Sequence, residues 1–285
     1  MQNQPYALYL PAERCTSVVF ASPHSGRAYE RSFLRSTLLD QWQIRSSEDA
    51  FVDMLFADVP QFGAPFLVAN APRAYVDLNR GAEELDPALV RGVRRQALNA
   101  RIASGLGVIP RVVAGARPIY HGKISLSEAQ QRLSAVWFPY HDQLQRLLDD
   151  CHRQFGQAVL IDCHSMPHEA VRNVTYKGVR PDIVLGDRYG AAASAGIVKL
   201  VASAFEAQGF SVALNTPFAG AYMAQHYGRP TYHQHVVQVE IDRALYMNEG
   251  MVRPNGQFDQ VRTRLTKVAQ DICQIGCSEE RLAAE

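Results

Sequence analysis

The sequence predicts an α/β fold, a sheet covered by helices on both faces, and three observations carry that prediction. Short apolar runs rich in β-branched or aromatic residues recur at 17–21, 158–161 and 236–241, each ending in a polar cluster as buried strands do. Between and beyond them, apolar residues return every three or four positions, the period of a helix with one buried face. The two patterns alternate along the chain, and alternating strands and helices build layered α/β/α structures whose sites form beyond the carboxyl ends of the strands.

The elements follow in order. The first strand, 17–21, ends at Ser22-Pro23-His24-Ser25-Gly26, where Gly26 is free to take the positive φ of a sharp turn. Glu48 and Asp49 open a helical-looking stretch, EDAFVDMLF, with Asp53 one turn further on the same face. Residues 73–80 alternate polar and apolar like a half-buried strand, which puts Arg73, Tyr75, Asp77 and Asn79 on one face. The segment 81–101 holds Arg91, Arg94, Arg95 and Arg101 beside Glu83, Glu84 and Asp86; it reads as a solvated helical face, with a lid as the other reading. A long amphipathic helix is expected over 127–155, with Leu133, Val136, Trp137, Tyr140, Leu144, Leu147 and Leu148 on its apolar stripe and Gly156 closing it. The strand at 158–161 leads into Asp162-Cys163-His164-Ser165, helices are expected at 191–208 (ended by Gly209) and 258–274, and the strand at 236–241 carries Val239-Glu240-Ile241-Asp242. No repeat, low-complexity tract or Gly/Ser/Pro-rich linker separates two cores, so a single domain spanning 1–285 is expected.

Composition removes several function classes. With 29 Lys+Arg against 28 Asp+Glu, the chain lacks the basic excess that a phosphate backbone recruits, so nucleic acid is not an expected partner. No run approaches the roughly 20 apolar residues of a membrane span, and the first residues show no basic stretch followed by an apolar one, so a cytoplasmic chain without membrane partners is expected. Five cysteines without a CxxC pair read as reduced, mostly buried thiols. Nothing in the sequence sets the oligomeric state.

His24 and His164 each stand beside the end of an expected strand, and two imidazoles delivered by neighbouring strands converge on one ion, for which zinc is suited. Glu48 or Asp49 completes a two-histidine, one-carboxylate set that leaves a fourth position to water. Glu240, a carboxylate in an apolar strand, is either the base that receives the water's proton or the ion-pair partner of Arg243. Arg80 with Asn79 is placed to grip an acidic substrate through the planar guanidinium fork, pairing with Asp77 being the structural alternative. IYHGK and HYGRP, with His121 and Arg229, are further polar loops.

Taken together, PHSG at 23–26, EDAFVD at 48–53, YVDLNR at 75–80, PIYHG at 118–122, PYH at 139–141, DCHS at 162–165, PDIVLGD at 181–187, GAYMAQHYGRP at 220–230 and VQVEID at 237–242 resemble the N-formylglutamate amidohydrolase (N-formylglutamate deformylase) family, a branch of the zinc carboxypeptidase-like hydrolases. The resemblance implies a mixed central sheet, one catalytic zinc per chain, and hydrolysis of the formyl amide of N-formyl-L-glutamate to formate and L-glutamate at the end of a histidine-degradation route. Carried onto this sequence, it implies His24, Asp49 and His164 as zinc ligands, with Glu48 the alternative third ligand, and Glu240 as general base. Asn79 and Arg80 would then hold a substrate carboxylate, with Arg73, His121, Tyr222 and Arg229 as further substrate contacts. A deacylase or carboxypeptidase-like hydrolase for another acyl amino acid, and a metal-binding scaffold without activity, are the alternatives.

Overall fold

The computed structural model describes residues 4–94, 99–176 and 178–277. At its centre lies a seven-stranded sheet of β1 (Tyr6–Tyr9), β2 (Val18–Ser22), β3 (Phe66–Ala69), β4 (Ala158–Met166), β5 (Ile183–Gly186), β6 (Val212–Leu214) and β7 (Gln234–Asp242). The order across the sheet is β1-β3-β2-β4-β7-β5-β6. β1 runs antiparallel to β3 and β5 antiparallel to β7, while the other neighbours are parallel, so the α/β sheet is mixed.

The period of two along each strand sorts the core into two layers. Phe20, Val159, Ile161, Val237, Val239 and Ile241 pack with helices Ala195–Ala207 and Phe258–Ile272. Val19, Ala21, Leu160 and Val236 pack on the other side with Tyr140, Leu144, Leu147 and Leu148 of helix Phe138–Phe155. Continuing along that second face past Leu160 and Val236, the alternation reaches Asp162 and His164 on β4 and Gln238 and Glu240 on β7. The register sets Asp162 against Gln238 and His164 against Glu240. The polar ends of two apolar strands therefore lie side by side on one face of the sheet.

Several expectations change. β4 runs on to Met166, so His164 lies inside a strand rather than after it, because pairing with β7 continues through the polar residues. The long helix begins at Leu126 with Ser125 as its cap, Ser125 Oγ accepting from Glu128 N, and widens into a π turn at Leu133–Trp137 just before Pro139, whose ring and missing N–H do not fit a regular α-helical turn. The helix expected from 191 starts at Ala195, and the last one ends at Ile272. Residues 73–80 form turns and no strand: Tyr75 N and Val76 N bond back to Pro72 O, and Asp77 Oδ1 takes Asn79 N. The described part of 81–101 is mostly turns around buried Asp86, Leu89 and Val90 rather than a solvated helix, with the short helix Ala100–Ala103 beginning only at its end; Arg95 lies outside the described residues. Among the described residues no helix is long and apolar enough to cross a membrane.

Candidate active site

His24 follows the end of β2, and its loop is fixed by Gly26 for a reason other than the one expected. Gly26 is not among the residues with positive φ; its backbone runs against Asn70 and Ala71, and a Cβ would collide with the Ala71 carbonyl. That close approach holds the His24 loop against the 70–80 turn. Asp49 N donates to His24 O at 3.0 Å, which brings the Asp49 turn to the same place. His164 arrives from β4, with its ring centroid 4.7 Å from that of His24. His24, Asp49 and His164 are all buried, and their potential ligand atoms lie within 4.8 Å of one another.

The hydrogen bonds around this group determine what it is able to hold. His24 Nε2 faces Asp77 Oδ1 at 2.7 Å, so the ring's proton belongs on Nε2 and the lone pair on Nδ1. Nδ1 is buried without a hydrogen bond among the described residues, 3.4 Å from Asp49 Oδ2. His164 turns Nδ1 to the same carboxylate oxygen at 2.9 Å, with Asp162 Oδ1 2.9 Å from its Nε2. A buried lone pair aimed at a carboxylate oxygen is costly unless a cation sits between them. Two imidazole nitrogens and one carboxylate are the donor set of a divalent metal site, with Asp77 hydrogen-bonded behind His24, while the buried Asp162 oxygens lie close to His164 without a hydrogen bond among the described residues.

The charges agree. Burial alone would raise the Asp49 pKa, but the His164 and His24 imidazoles hold it well below the usual carboxylate range. Burial lowers the pKa of His164, yet Asp162, Asp49 and Glu240 outweigh it and hold it well above the ordinary value. The site thus attracts positive charge, and a bound metal ion would compete with protons for it. Asp49 Oδ1 is matched by Arg243 Nη2 at 2.9 Å, so Arg243 serves Asp49 and not Glu240. Glu240 is left with Gln238, whose Nε2 donates to its Oε1 at 2.9 Å. Burial, reinforced by the charge of Asp49, pushes the Glu240 carboxyl up to about 7, against the pull of His164, Arg73 and Arg243.

Glu48 stands elsewhere. Its carboxylate takes Arg45 Nε at 3.0 Å and Tyr29 OH at 2.6 Å, and it is not part of the cluster with the histidines. Asp53 pairs with Arg27 near the surface. The backbone reverses at Phe51, which has a φ of 67°, so 48–53 is no continuous helix and its three acids go separate ways.

A cavity of about 710 Å³ opens over the cluster and is lined by His24, Arg73, Asn79, Arg80, His164, Gln238 and Glu240, among others. Asn79 Nδ2 lies 3.2 Å from His164 Nε2 and donates to Gln238 Oε1 at 3.3 Å, while its Oδ1 accepts from Met223 N. Arg80 makes no ion pair with Asp77; its Nε donates to Leu106 O and its Nη1 to Asn79 O, and Asp77 is instead bonded to Arg73 Nε at 3.0 Å. His121, Tyr222 and Arg229 are not among the residues that line this cavity. Tyr222 stacks on His226 instead, Arg229 is exposed on the loop before β7, and His121 is exposed after the Tyr120 bridge to Thr37. Sequence reasoning missed Asp162 and Gln238, each two residues before a site residue on the same strand face, a signal the period of two contains. It also missed Arg243 as the partner of Asp49 and Asp77 as that of His24, contacts that span 194 and 53 residues.

A mixed α/β sheet here presents two imidazoles and a carboxylate able to hold a metal ion, with a further buried carboxyl group beside them on the cavity floor. Comparison with known proteins narrows the class. The family model described as N-formylglutamate amidohydrolase matches residues 16–247. The chain is 29% identical over 239 residues to N-formylglutamate deformylases of Pseudomonas aeruginosa and Pseudomonas putida, covering 81% of this chain and 82% of each of those proteins. It superposes on the crystal structure of an N-formylglutamate amidohydrolase from Ralstonia eutropha JMP134 with a TM-score of 0.88 and 33% identity, over 95% of this chain and 98% of that one. A protein from Agrobacterium tumefaciens shares the fold, with a TM-score of 0.62 at 14% identity over 94% of this chain and 95% of that one. The chain belongs to the N-formylglutamate amidohydrolase family.

Proposed function

We propose that this protein is a zinc-dependent amidohydrolase that cleaves the formyl amide of N-formyl-L-glutamate, giving formate and L-glutamate. Family membership supports the substrate, and the observation that carries the chemistry is the buried, unbonded Nδ1 of His24 facing Asp49. His24, Asp49 and His164 would hold the zinc, a fit their donor types and the Asp77 bond behind His24 support. When bound, the ion supplies a Lewis acid that polarises the formyl carbonyl and makes water acidic enough to attack near neutral pH.

Glu240 takes the proton from the attacking water and passes it to the leaving nitrogen, so that amide plus water becomes acid plus amine with no charge left over. Burial raises the Glu240 carboxyl above the ordinary carboxylate range, which makes it a stronger base than an exposed glutamate. Gln238 fixes the base by donating to its Oε1, and Gln238 is in turn held by Asn79 and by the N–H of Ala221. Arg80 receives the substrate's α-carboxylate; with Nε and Nη1 tied to backbone carbonyls, its fork is set before substrate arrives.

The test is formate release from N-formyl-L-glutamate by protein stripped of metal and reloaded with one equivalent of zinc. Turnover that appears on reloading, and exceeds that on N-acetyl-L-glutamate, is the expected result. A zinc-loaded protein that releases no formate, or that prefers the acetyl compound, would overturn the assignment.

A further inference from the structure

Four arginines line the cavity: Arg73, Arg80, Arg101 and Arg243. Two are already matched by carboxylates, Arg73 by Asp77 at 3.0 Å and Arg243 by Asp49 at 2.9 Å. Arg80 and Arg101 have no carboxylate within 4.0 Å among the described residues. Burial, with the like charges of Arg73 and Arg101, lowers the pKa of Arg80 against the pull of Asp77 and Glu84, as expected of a cation lacking a close counter-charge. The cavity therefore presents two unmatched guanidiniums, one buried beside Asn79 and one at the exposed rim.

Arg101 is not a loose surface residue. It lies in the short helix Ala100–Ala103, where Asn99 Oδ1 accepts from Arg101 N at 2.9 Å and Asn99 Nδ2 donates to Glu84 Oε2. The other oxygen of Glu84 takes Gly81 N, the residue after Arg80. On the far side the chain turns at Gly105, with a φ of 81°; Leu106 N donates to Arg101 O, and Leu106 O accepts Arg80 Nε at 3.0 Å. Arg111 closes the turn by reaching Ala103 O while bound to Asp86 at 2.9 Å. The backbones carrying Arg80 and Arg101 are thus braced against each other twice, which keeps Arg101 at the rim of the cavity that Arg80 lines.

We propose that Arg101 binds the side-chain carboxylate of the substrate while Arg80 holds the α-carboxylate, so that the cavity selects N-acyl amino acids with an acidic side chain. The proposal rests on the hydrolase function given above, and adds to it the residue that distinguishes glutamate from an uncharged side chain of the same shape. Two cations on one cavity wall suit a substrate with two carboxylates, whereas a monoanionic substrate leaves Arg101 without an anion.

The experiment compares kcat/KM for N-formyl-L-glutamate and N-formyl-L-glutamine in wild type, Arg101→Ala and Arg101→Lys. Arg101→Ala is expected to lose about 10- to 150-fold on the glutamate compound, the worth of one charge-assisted contact, and less than about threefold on the glutamine compound. Arg101→Lys, which keeps charge without the fork, should fall between. Equal losses on both substrates, or none on either, would overturn the proposal. Should wild-type protein hydrolyse neither compound, the hydrolase reading fails, and calorimetric binding of L-glutamate and L-glutamine to the same variants decides on Arg101. An Arg101→Ala loss confined to glutamate supports it there, and wild-type protein that fails to prefer glutamate overturns it.

Discussion

Asp77→Asn tests whether the second carboxylate behind His24 determines metal binding. Asp77 accepts three hydrogen bonds, from His24 Nε2 at 2.7 Å, Asn79 N at 2.9 Å and Arg73 Nε at 3.0 Å. An asparagine of the same shape keeps an oxygen for His24 and Asn79 but turns an amide N–H toward Arg73. The buried Asp77 carboxylate is held well below the ordinary range, against burial, by Arg73, His24 and Arg80, so it is ionised whenever the site works. Losing its charge weakens the bond that fixes the His24 proton on Nε2 and makes Nδ1 a poorer donor. Outer partners of this kind typically contribute 10- to 100-fold in metal affinity, or about 1.4–2.7 kcal/mol. Zinc titration of metal-free protein by calorimetry, with a competing chelator, should show that weakening. Glu48→Gln is the control: it alters a carboxylate that is equally buried but bound to Arg45 and Tyr29, and its zinc affinity should stay within about threefold of wild type. Unchanged affinity in Asp77→Asn, or an equal loss in Glu48→Gln, would refute the assignment of His24 and Asp49 as ligands backed by Asp77.

Glu240→Gln should bind zinc as wild type does, because Gln238 still finds an oxygen at that position, yet lose 10²–10⁴-fold in kcat; near-normal turnover would make Glu240 structural. Gly26→Ala should unfold at lower temperature and lower denaturant concentration, since the added Cβ meets the Ala71 backbone and the His24 loop must move; an unchanged melting temperature would show that the loop gives freely. His141 packs against Trp137, receives the Tyr227 hydroxyl at Nδ1 and donates from Nε2 to Leu78 O, and burial lowers its pKa from 6.5 to about 3. The unfolded chain therefore binds a proton before the folded one as pH falls, so this contribution is whole above about pH 6.5 and shrinks below it, by about 2 kcal/mol at pH 5. Urea unfolding at pH 7 and pH 5 should show His141→Gln missing that part of the wild-type pH dependence, and identical dependences would exclude His141 as its source.

The layered fold was legible because burial on both faces leaves a mark that survives any tertiary detail. A strand such as 158–161 must be apolar at every position, and a helix such as Phe138–Phe155 must be apolar on one stripe. The mixed character of the sheet was not legible in those patterns, since β5 is as apolar as β2 and its direction, antiparallel to β7, depends on connections. The 73–80 segment misled for a related reason. Its alternation of polar and apolar residues is that of a strand, but Pro72 and the Asp77 side chain satisfy its backbone locally, so the outward residues point where turns send them.

The site shows the same division between local and long-range information. His24, His164 and Glu240 stand out in the sequence because a strand end interrupts apolar runs with groups that must be compensated, and residue type alone limits how. Which acid compensates which base was not readable, because that is decided by folding. The sequence leaves Glu240 as either a base or the partner of Arg243, three residues after it, and β7 turns Glu240 onto the cavity face while the 3₁₀ turn after Asp242 carries Arg243 to Asp49. The consequence is chemical. An arginine on Glu240 would have held its carboxyl low and made it a weak base, whereas an arginine on Asp49 helps anchor the carboxylate between the two imidazoles and leaves Glu240 to burial, which raises it to about 7. One cation, placed on Asp49 and not on Glu240, leaves Glu240 as the raised carboxyl of the two.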